Sequence, residues 1–327
     1  MKKLKNKKIL VTGGAGFIGS HLVKRLVSLR CKVSVTVKYN SLIDNPRLVK
    51  IWDKINLIET DLRNTDSVKE MSKKNFDLIF HLAAYNHVGD SFKHVMENVN
   101  SNLISTINLL NNGPKFKKFV HMGTSEIYGL QKTLPFNERE KPNPMSPYGL
   151  TKFASELFVL LKSRYSNKQI LCVRPFNTFG PYQSEKAIIP EIIIKSLLNK
   201  NIETTLGNQT REFNYVDNIV DGILLSSKKI NFFDEPFNIG SNNPIKIKDL
   251  VKKIHNLTNS KSKLKIGAKK YRPNEIWKMQ AENKFIINKV GWKPVVNFNQ
   301  GLTNTIQWYK KFLKVYYNKN SSFNNLI

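Results

Sequence analysis

Acidic residues and arginine are both scarce in this chain of 327 residues. Lys and Arg number 53 against 24 Asp and Glu, which gives a formal net charge of +29 at pH 7. Only nine of the basic residues are Arg, so the excess is lysine, and it is scattered along the chain. Nucleic-acid sites concentrate Arg and Lys in stripes with aromatic residues, or belong to a known module. The sequence has neither feature, and we expect no nucleic-acid partner.

Cysteine and long apolar runs are scarce as well. The two cysteines, Cys31 and Cys172, cannot form a disulfide framework and lack the spacing of metal ligands, so no metal site is expected. No segment approaches the roughly 18 apolar residues of a membrane-spanning helix. The basic start of the chain runs into Thr12 and Gly13 without the apolar segment of a signal peptide. We therefore expect a soluble, cytoplasmic protein with no membrane partner.

Hydrophobic residues make up 40% of the chain, which is enough for a large core. In the first half, short β-branched runs alternate with helical apolar spacing, a pattern typical of βαβ units and a parallel sheet. The predicted strands cover residues 8–12, 32–37, 56–59, 78–82, 118–122 and 169–174. Later segments predict helices near 188–199, 215–227 and 248–257 and a short strand at 236–239. The sequence thus predicts an α/β fold.

A glycine-rich turn directly follows the first predicted strand. Gly13, Gly16 and Gly19 are spaced three apart, and Phe17 and Ile18 open the next helix. Glycine permits a tight turn and a close backbone approach, so that the N–H groups at the helix start can hold a pyrophosphate. This pattern predicts a dinucleotide site.

The end of the second predicted strand lacks the acidic residue that normally holds the ribose hydroxyls. Lys38 stands there instead and would tolerate a 2′-phosphate, or it is one more surface lysine, so NAD and NADP both remain open. Asp61, after the third strand, is a candidate for the adenine amino group or an ordinary solvated loop residue.

Tyr148 and Lys152 are four residues apart and therefore share one face of a predicted helix. An ammonium beside a phenol lowers the phenol pKa from its usual value near 10, which would make Tyr148 a usable base. Thr124 follows the fifth predicted strand. We expect these three side chains to form a catalytic group.

Together these segments resemble the extended short-chain dehydrogenase/reductases, in particular the nucleotide-sugar epimerase/dehydratase group. The matching residues are 12–22, 81–84, 123–129, 148–152, 174–177, 211–217 and 237–240. The resemblance implies a Rossmann fold, a doubly wound parallel sheet, with a smaller C-terminal α/β domain that binds a nucleotide-diphosphate sugar. It implies an NAD(P)-binding domain of residues 1–176 plus 214–240, a sugar-nucleotide domain of 177–213 plus 241–317, and a tail at 318–327.

The resemblance also implies a role for single residues. Tyr148 would deprotonate the sugar 4-hydroxyl during hydride transfer, Thr124 would bind that oxygen, and Lys152 would also hold the nicotinamide ribose. Glu126 would remove the proton at carbon 5, as in 4,6-dehydratases; the role of Ser125 is open. Further cofactor contacts are expected from Leu62, Leu82, Ala83, Ala84 and Asn102, and substrate contacts from Ser91, Asn177, Arg211 and Arg272.

We therefore predict a nucleotide-sugar 4,6-dehydratase. The alternatives are a 4-epimerase, a UDP-glucuronate decarboxylase and, more distantly, a non-catalytic cofactor-binding protein. The start of the helix, Tyr-Gly-Leu-Thr-Lys at 148–152, favours the dehydratase over the decarboxylase. By analogy, a homodimer formed through the helices near 98–111 and 148–162 is expected.

Overall fold

The computed structural model describes residues 4–39, 46–166, 168–228, 235–271 and 275–317. Its centre is a sheet of seven parallel strands in the order β11-β6-β5-β4-β1-β2-β3. These strands are β1 (Lys8–Thr12), β2 (Lys32–Val37), β3 (Ile55–Glu59), β4 (Asn75–His81), β5 (Lys115–Met122), β6 (Gln169–Pro175) and β11 (Phe237–Ile239).

Helices cover both faces of this sheet, because side chains alternate between the two faces along each strand. One face carries Ile9 and Val11 and packs against α1 (Phe17–Ser28), α8 (Val216–Lys228) and α10 (Lys284–Val290). The opposite face carries Leu10 and Ile79 and packs against α2 (Thr65–Glu70), α5 (Ser105–Asn112) and α6 (Pro147–Ser166). The sheet is thus doubly wound, which confirms the predicted Rossmann fold class.

The predicted elements agree with the structure apart from their ends. The strands at 8–12 and 32–37 have the predicted bounds, whereas β4 and β5 each begin three residues earlier than predicted. The predicted later helices correspond to α7 (Ile188–Leu197), α8 and α9 (Ile247–Leu257). Strand ends depend on pairing with neighbours across the sheet, which local sequence spacing does not report.

The remaining elements pack beside the carboxyl end of the sheet. A third hydrophobic cluster joins α7, α9 and α11 (Phe298–Tyr317), and it includes Phe179 and Tyr215. The short strands here are β7 (Thr178–Phe179), β8 (Ile202–Thr204), β9 (Thr210–Glu212), β10 (Asn214–Tyr215), β12 (Pro244–Lys246), β13 (Leu264–Ile266) and β14 (Lys278–Met279). The short helices α3 (Val88–Ser91) and α4 (Val95–Asn98) follow β4.

The strand order reverses between β1 and β4, and the crevice at such a point is where doubly wound sheets bind ligands. In the described part of the chain, no helix is long and apolar enough to cross a membrane.

Candidate active site

A cavity of about 1180 Å³ opens at the carboxyl end of the sheet, where the strand order reverses. Its wall brings together residues that lie far apart in the sequence, from the glycine turn to β9. The predicted site residues that line it are Gly13, Gly16, Phe17, Ile18, Gly19, Lys38, Asp61, Leu62, Leu82, Ala83, Ala84, Thr124, Ser125, Glu126, Tyr148, Lys152, Asn177 and Arg211.

The glycine turn is packed so closely that side chains have no room. Gly13 adopts φ +68°, and a Cβ atom there would lie 2.6 Å from the backbone nitrogen of Ala83. A Cβ on Gly19 would lie 2.1 Å from the Gly13 carbonyl oxygen. Helix α1 begins at this turn with no acidic residue in its first turn. The positive end of its dipole and its N–H groups therefore suit an anion such as a dinucleotide pyrophosphate.

The part of the cavity wall that follows β2 and β3 is strongly charged. Arg63, which the sequence reading missed, also lines the wall and binds Asp61 at 2.6 Å (Nη2 to Oδ2) and Glu97 at 2.9 Å (Nη1 to Oε2). The hydrogen bonds from Arg63 hold the pKa of Asp61 below its usual value. The Asp61 carboxylate is thus ionised and fixed in place. Lys38 is exposed at the rim.

Thr124 and Tyr148 are hydrogen-bonded to each other through their side chains. The sequence predicted a lowered pKa for Tyr148, and this was wrong for the chain by itself. Burial raises the pKa of Tyr148 to about 12; the Thr124 hydrogen bond opposes the rise, and the negative charge of Glu126 adds to it. Burial is the largest cause of this rise, because it removes water from the phenolate, which is the charged form.

Lys152 is only 2% exposed and lies on the same helix, α6. Burial lowers the pKa of Lys152 to about 8, and the charge of Glu156 partly opposes that fall. An ammonium with a pKa near neutrality can gain or lose a proton at physiological pH. Lys152 is therefore placed to exchange a proton within the cavity as well as to supply charge.

Two buried histidines near the ends of neighbouring strands lie close enough to Lys152 for its charge to act on them. His81 and His121 are directly paired in the β4–β5 register, with ring centroids 5.5 Å apart. His81 is hydrogen-bonded to the hydroxyls of Thr12 (2.7 Å) and Thr106 (2.9 Å). Burial, with the Lys152 charge as a smaller cause, lowers the pKa of His81 to about 3 and that of His121 well below its usual value. Both rings are neutral at pH 7.

This pair predicts that the protein loses stability in mild acid. An unfolded His binds a proton below pH about 6.5, whereas the folded rings stay neutral, so the stabilisation is complete above that pH and is lost as pH falls. Each ring should remove about 1.4 kcal/mol of unfolding free energy per pH unit in that range. Denaturant unfolding at a series of pH values measures the slope. His121→Gln should reduce the slope by the share of one ring, since His81 remains, and an unchanged slope would contradict the assignment.

Glu126 and Ser125 occupy the turn after β5, in a short 3-10 helix over Ser125–Ile127. The Thr124 hydroxyl accepts a hydrogen bond from the Glu126 backbone N–H at 3.2 Å, which fixes the start of this turn. Glu126 is half-buried on the cavity wall. The Ser125 hydroxyl donates to the thioether of Met279 at 3.5 Å. A hydroxyl engaged in this way is badly placed to act as an acid.

Two expected contacts are not on the wall. Ser91 is fully buried, and its hydroxyl donates to the Val88 carbonyl at 2.6 Å inside α3. Asn102 is also fully buried; it accepts from the Tyr85 backbone N–H at 2.8 Å and donates to Thr151 at 3.0 Å. Asn102 lies in a π-helical segment, whose wider turn changes which way side chains face. Neither side chain lines the cavity, and direct contact of Ser91 or Asn102 with a ligand stays a prediction.

The other end of the cavity reaches β9. Arg211 lines it and donates to Glu275 at 2.8 Å, with both side chains mostly buried. Asn177 donates to the Glu212 carbonyl at 3.3 Å. Arg272, the remaining predicted substrate residue, lies outside the described residues. This end combines a guanidinium fork with side-chain amides, which suits a diphosphate and its attached groups.

Arg174, at the end of β6, is part of a buried network. It binds Glu156 at 2.6 Å and the Tyr128 hydroxyl at 2.7 Å. Tyr128 in turn donates to Asn238 at 2.6 Å. The network fixes Glu156, whose charge acts on Lys152. Sequence reading missed it because its members come from four distant segments.

The seven-stranded sheet, the glycine turn and the grouping of Thr124, Tyr148 and Lys152 define an extended short-chain dehydrogenase/reductase of the epimerase/dehydratase type. The chain belongs to the family described as GDP-mannose 4,6 dehydratase, whose sequence profile matches residues 10–305. The resemblance seen in the sequence is thereby confirmed.

Individual relatives carry out more than one reaction. The chain is 30% identical over 322 residues to dTDP-D-glucose 4,6-dehydratase of Homo sapiens, covering 93% of this chain and 90% of the relative. UDP-glucose 4-epimerase of Thermotoga maritima, solved with UDP-glucose, superposes with TM-score 0.85 at 26% identity, covering 94% and 99% of the two chains. dTDP-glucose 4,6-dehydratase of Bacillus anthracis, solved with NAD, gives TM-score 0.80 at 25% identity, covering 93% and 97%. The chain is similar to both dehydratases and epimerases.

Proposed function

We propose that the chain is an NAD-dependent nucleotide-sugar 4,6-dehydratase that forms a 4-keto-6-deoxy sugar nucleotide. The observation that carries the proposal is the position of Glu126, whose carboxylate lies close enough to Tyr148 for its charge to raise the phenol pKa. A 4-epimerase needs the Tyr and Thr alone, whereas water loss needs a base for a second proton. The 30% identity to a dTDP-D-glucose 4,6-dehydratase supports the same choice.

The cofactor site of this proposal is the glycine turn and the wall from Lys38 to Ala84. Residues 1–176 with 214–240 would form the cofactor domain, and 177–213 with 241–317 the sugar-nucleotide domain. NAD is proposed because a similar dehydratase was solved with it, and exposed Lys38 also leaves room for the 2′-phosphate of NADP. A nicotinamide held there would supply the acceptor for hydride from sugar carbon 4 and the donor for its return to carbon 6, and its positive charge would favour an ionised Tyr148.

The chain's own residues perform the proton transfers. Tyr148 takes the proton of the 4-hydroxyl, and Thr124 holds the oxygen beside it. The 4-ketone makes the proton at carbon 5 acidic, and Glu126 removes it. The C6–O bond then breaks, and the leaving hydroxide takes that proton from Glu126 to become water. When hydride returns to carbon 6, carbon 5 takes a proton that Glu126 draws from solvent, and Tyr148 releases to solvent the proton that it took from the 4-hydroxyl. Ser125 is not needed as an acid, in keeping with its donation to Met279.

The proposal is tested by incubating the NAD-loaded protein with UDP-, GDP-, dTDP- and CDP-hexoses and weighing the products by mass spectrometry. A product lighter by one water supports the dehydratase. A product of unchanged mass but altered sugar stereochemistry would replace it with an epimerase, and loss of carbon dioxide from UDP-glucuronate would replace it with a decarboxylase. Mass spectrometry of the denatured protein also identifies the co-purified dinucleotide as NAD or NADP.

We also propose that the chain forms a homodimer through the outer face of α6. Leu150, Leu157 and Leu161 are 58%, 50% and 47% exposed and follow helical spacing along this face. Leu157 and Leu161, together with Leu103 and Ala154, border a shallow apolar groove. An exposed apolar stripe of this kind suits an isologous interface between two copies.

Leu157→Lys is expected to convert the dimer to a monomer, because it places two charges at the centre of a symmetric apolar contact. Light scattering behind size-exclusion chromatography measures the mass against 37.7 kDa for one chain. The control Leu257→Lys alters a leucine of matched exposure, 47%, at the end of α9. A wild-type protein that is monomeric, or a Leu157→Lys variant that stays dimeric, would contradict the proposed interface.

A further inference from the structure

One buried thioether contacts two residues of the cavity wall. Met279, on β14, is fully buried. The Ser125 hydroxyl donates to its Sδ atom at 3.5 Å, and the Asn177 amide Nδ2 approaches the same sulfur at 3.7 Å. Ser125 and Asn177 both line the cavity. They follow the ends of β5 and β6, and both contact Met279.

A thioether fixes the direction of both hydrogen bonds, because its sulfur carries no hydrogen and can only accept. Hydroxyl rotation and amide orientation are usually open to assignment, but here the chemistry allows one choice. The Asn177 amide also lies 3.3 Å from the Glu212 carbonyl oxygen, which is likewise an acceptor. Both neighbours therefore require that Nδ2, and not Oδ1, faces them. The Ser125 proton and the Asn177 N–H groups are therefore directed at Met279 and Glu212, and the acceptor oxygens of both side chains remain for a ligand.

We propose that Met279 sets the hydrogen-bond polarity of this wall, so that Ser125 and Asn177 accept hydrogen bonds from hydroxyl or amide N–H groups of the sugar. The proposal rests on the function proposed above in taking a nucleotide sugar as the ligand. The proposal assigns Asn177 to the sugar and not, as the sequence predicted, to the diphosphate. Diphosphate oxygens carry almost no hydrogen at neutral pH and so cannot donate to the Asn177 amide oxygen.

The position of the wall agrees with this assignment. Ser125 lies between Thr124 and Glu126 in the chain, next to the groups that act on the sugar. Asn177 contacts the backbone of β9, the strand that carries Arg211. Met279 pairs with Arg211 in the β14–β9 register. The acceptor wall thus lies between the reacting groups and the guanidinium that suits the diphosphate, where a sugar joined to that diphosphate would sit.

Binding of matched ligands tests which part of the ligand the wall contacts. Titration calorimetry on the NAD-loaded chain compares UDP, GDP and dTDP with UDP-glucose, GDP-mannose and dTDP-glucose. Ser125→Ala and Asn177→Ala should each weaken the sugar conjugate about fivefold and change the bare diphosphate less than twofold. Equal weakening of both ligands, or of neither, would overturn the assignment. Ser125→Ala alone decides the matter if Asn177→Ala does not fold.

Fluorinated sugars test the polarity itself. A deoxyfluoro group is similar in size to a hydroxyl but cannot donate a hydrogen bond. Among the deoxyfluoro analogues of the hexose conjugate that binds, at least one should bind the wild type at least about fivefold more weakly than the parent. Met279→Leu keeps the volume and removes the acceptor, so both side chains can turn, and that penalty should fall below twofold.

The control for this experiment is Met71→Leu, which changes a buried methionine of another hydrophobic cluster. It should keep the wild-type penalty for the fluorinated analogue. If Met279→Leu also keeps it, the thioether does not set the polarity and the proposal is wrong. All titrations are made in a Tyr148→Phe background, which prevents oxidation at carbon 4 and therefore turnover, so this result is independent of whether the protein removes water, epimerises or does neither.

Discussion

Glu126→Gln should abolish the release of water from the nucleotide sugar while the first oxidation at carbon 4 continues. Glutamine keeps the size of the side chain and its place beside Tyr148 but cannot take the proton at carbon 5. General bases of this kind contribute about 100- to 10,000-fold to a rate, so the dehydrated product should fall by at least the lower of these factors. Glu126 is half-buried on the cavity wall, and its charge acts on Tyr148, the proposed base for the 4-hydroxyl.

Two measurements separate this outcome from a general loss of activity. Mass spectrometry follows the dehydrated sugar, and absorbance of reduced nicotinamide follows oxidation at carbon 4. In Glu126→Gln the reduced cofactor should accumulate on the protein, whereas Tyr148→Phe should prevent both signals. Glu70→Gln, at the exposed end of α2, serves as the control and should behave as the wild type. Normal dehydration by Glu126→Gln would remove the basis for the proposed function.

Features set by local spacing could be predicted from the sequence. The glycine turn could be predicted because Gly13, Gly16 and Gly19 have the spacing of a tight strand-to-helix turn. Tyr148 and Lys152 could be predicted to share a face because a helix repeats every 3.6 residues. The first two strands were predicted with their observed bounds for a similar reason. Thr124, Tyr148 and Lys152, which the sequence predicts as a catalytic group, line one cavity.

Features set by packing could not be predicted in this way. The pairing of His81 with His121 depends on the register of β4 and β5, and the contact of Ser125 with Met279 joins residues 154 positions apart. The pKa of Tyr148 rises because the folded chain removes water from the phenol, which no neighbour along the helix reveals. Ser91 and Asn102 belong to motif segments, but a short helix and a π-helical turn direct them away from the cavity.

Replacing Arg174 with Met should destabilise the fold by about 3–5 kcal/mol, the usual cost of leaving a buried charge without its partner. Arg174 and Glu156 are only 5% and 1% exposed at the side chain, so neither water nor salt can replace the lost guanidinium. Since whole domains are stable by about 5–15 kcal/mol, this loss is a large fraction of the total stability. Urea unfolding measures the change.

The surface pair Arg139–Glu235 provides the matched control, with an N–O distance of 2.9 Å and side chains 81% and 37% exposed. Arg139→Met should cost less than about 1 kcal/mol, because solvent screens an exposed pair. The double variant Glu156→Leu with Arg174→Met removes both charges and should be more stable than Arg174→Met alone, since the cost arises from the unpaired carboxylate. If the double variant were no better, the loss would come from the Tyr128 and Glu138 contacts of the guanidinium. The two variants should also differ in the pKa of Lys152. Glu156 keeps its charge in Arg174→Met but is absent from the double variant, so there the pKa of Lys152 should fall further. In the double variant, activity that depends on the Lys152 ammonium should therefore be lost at a lower pH.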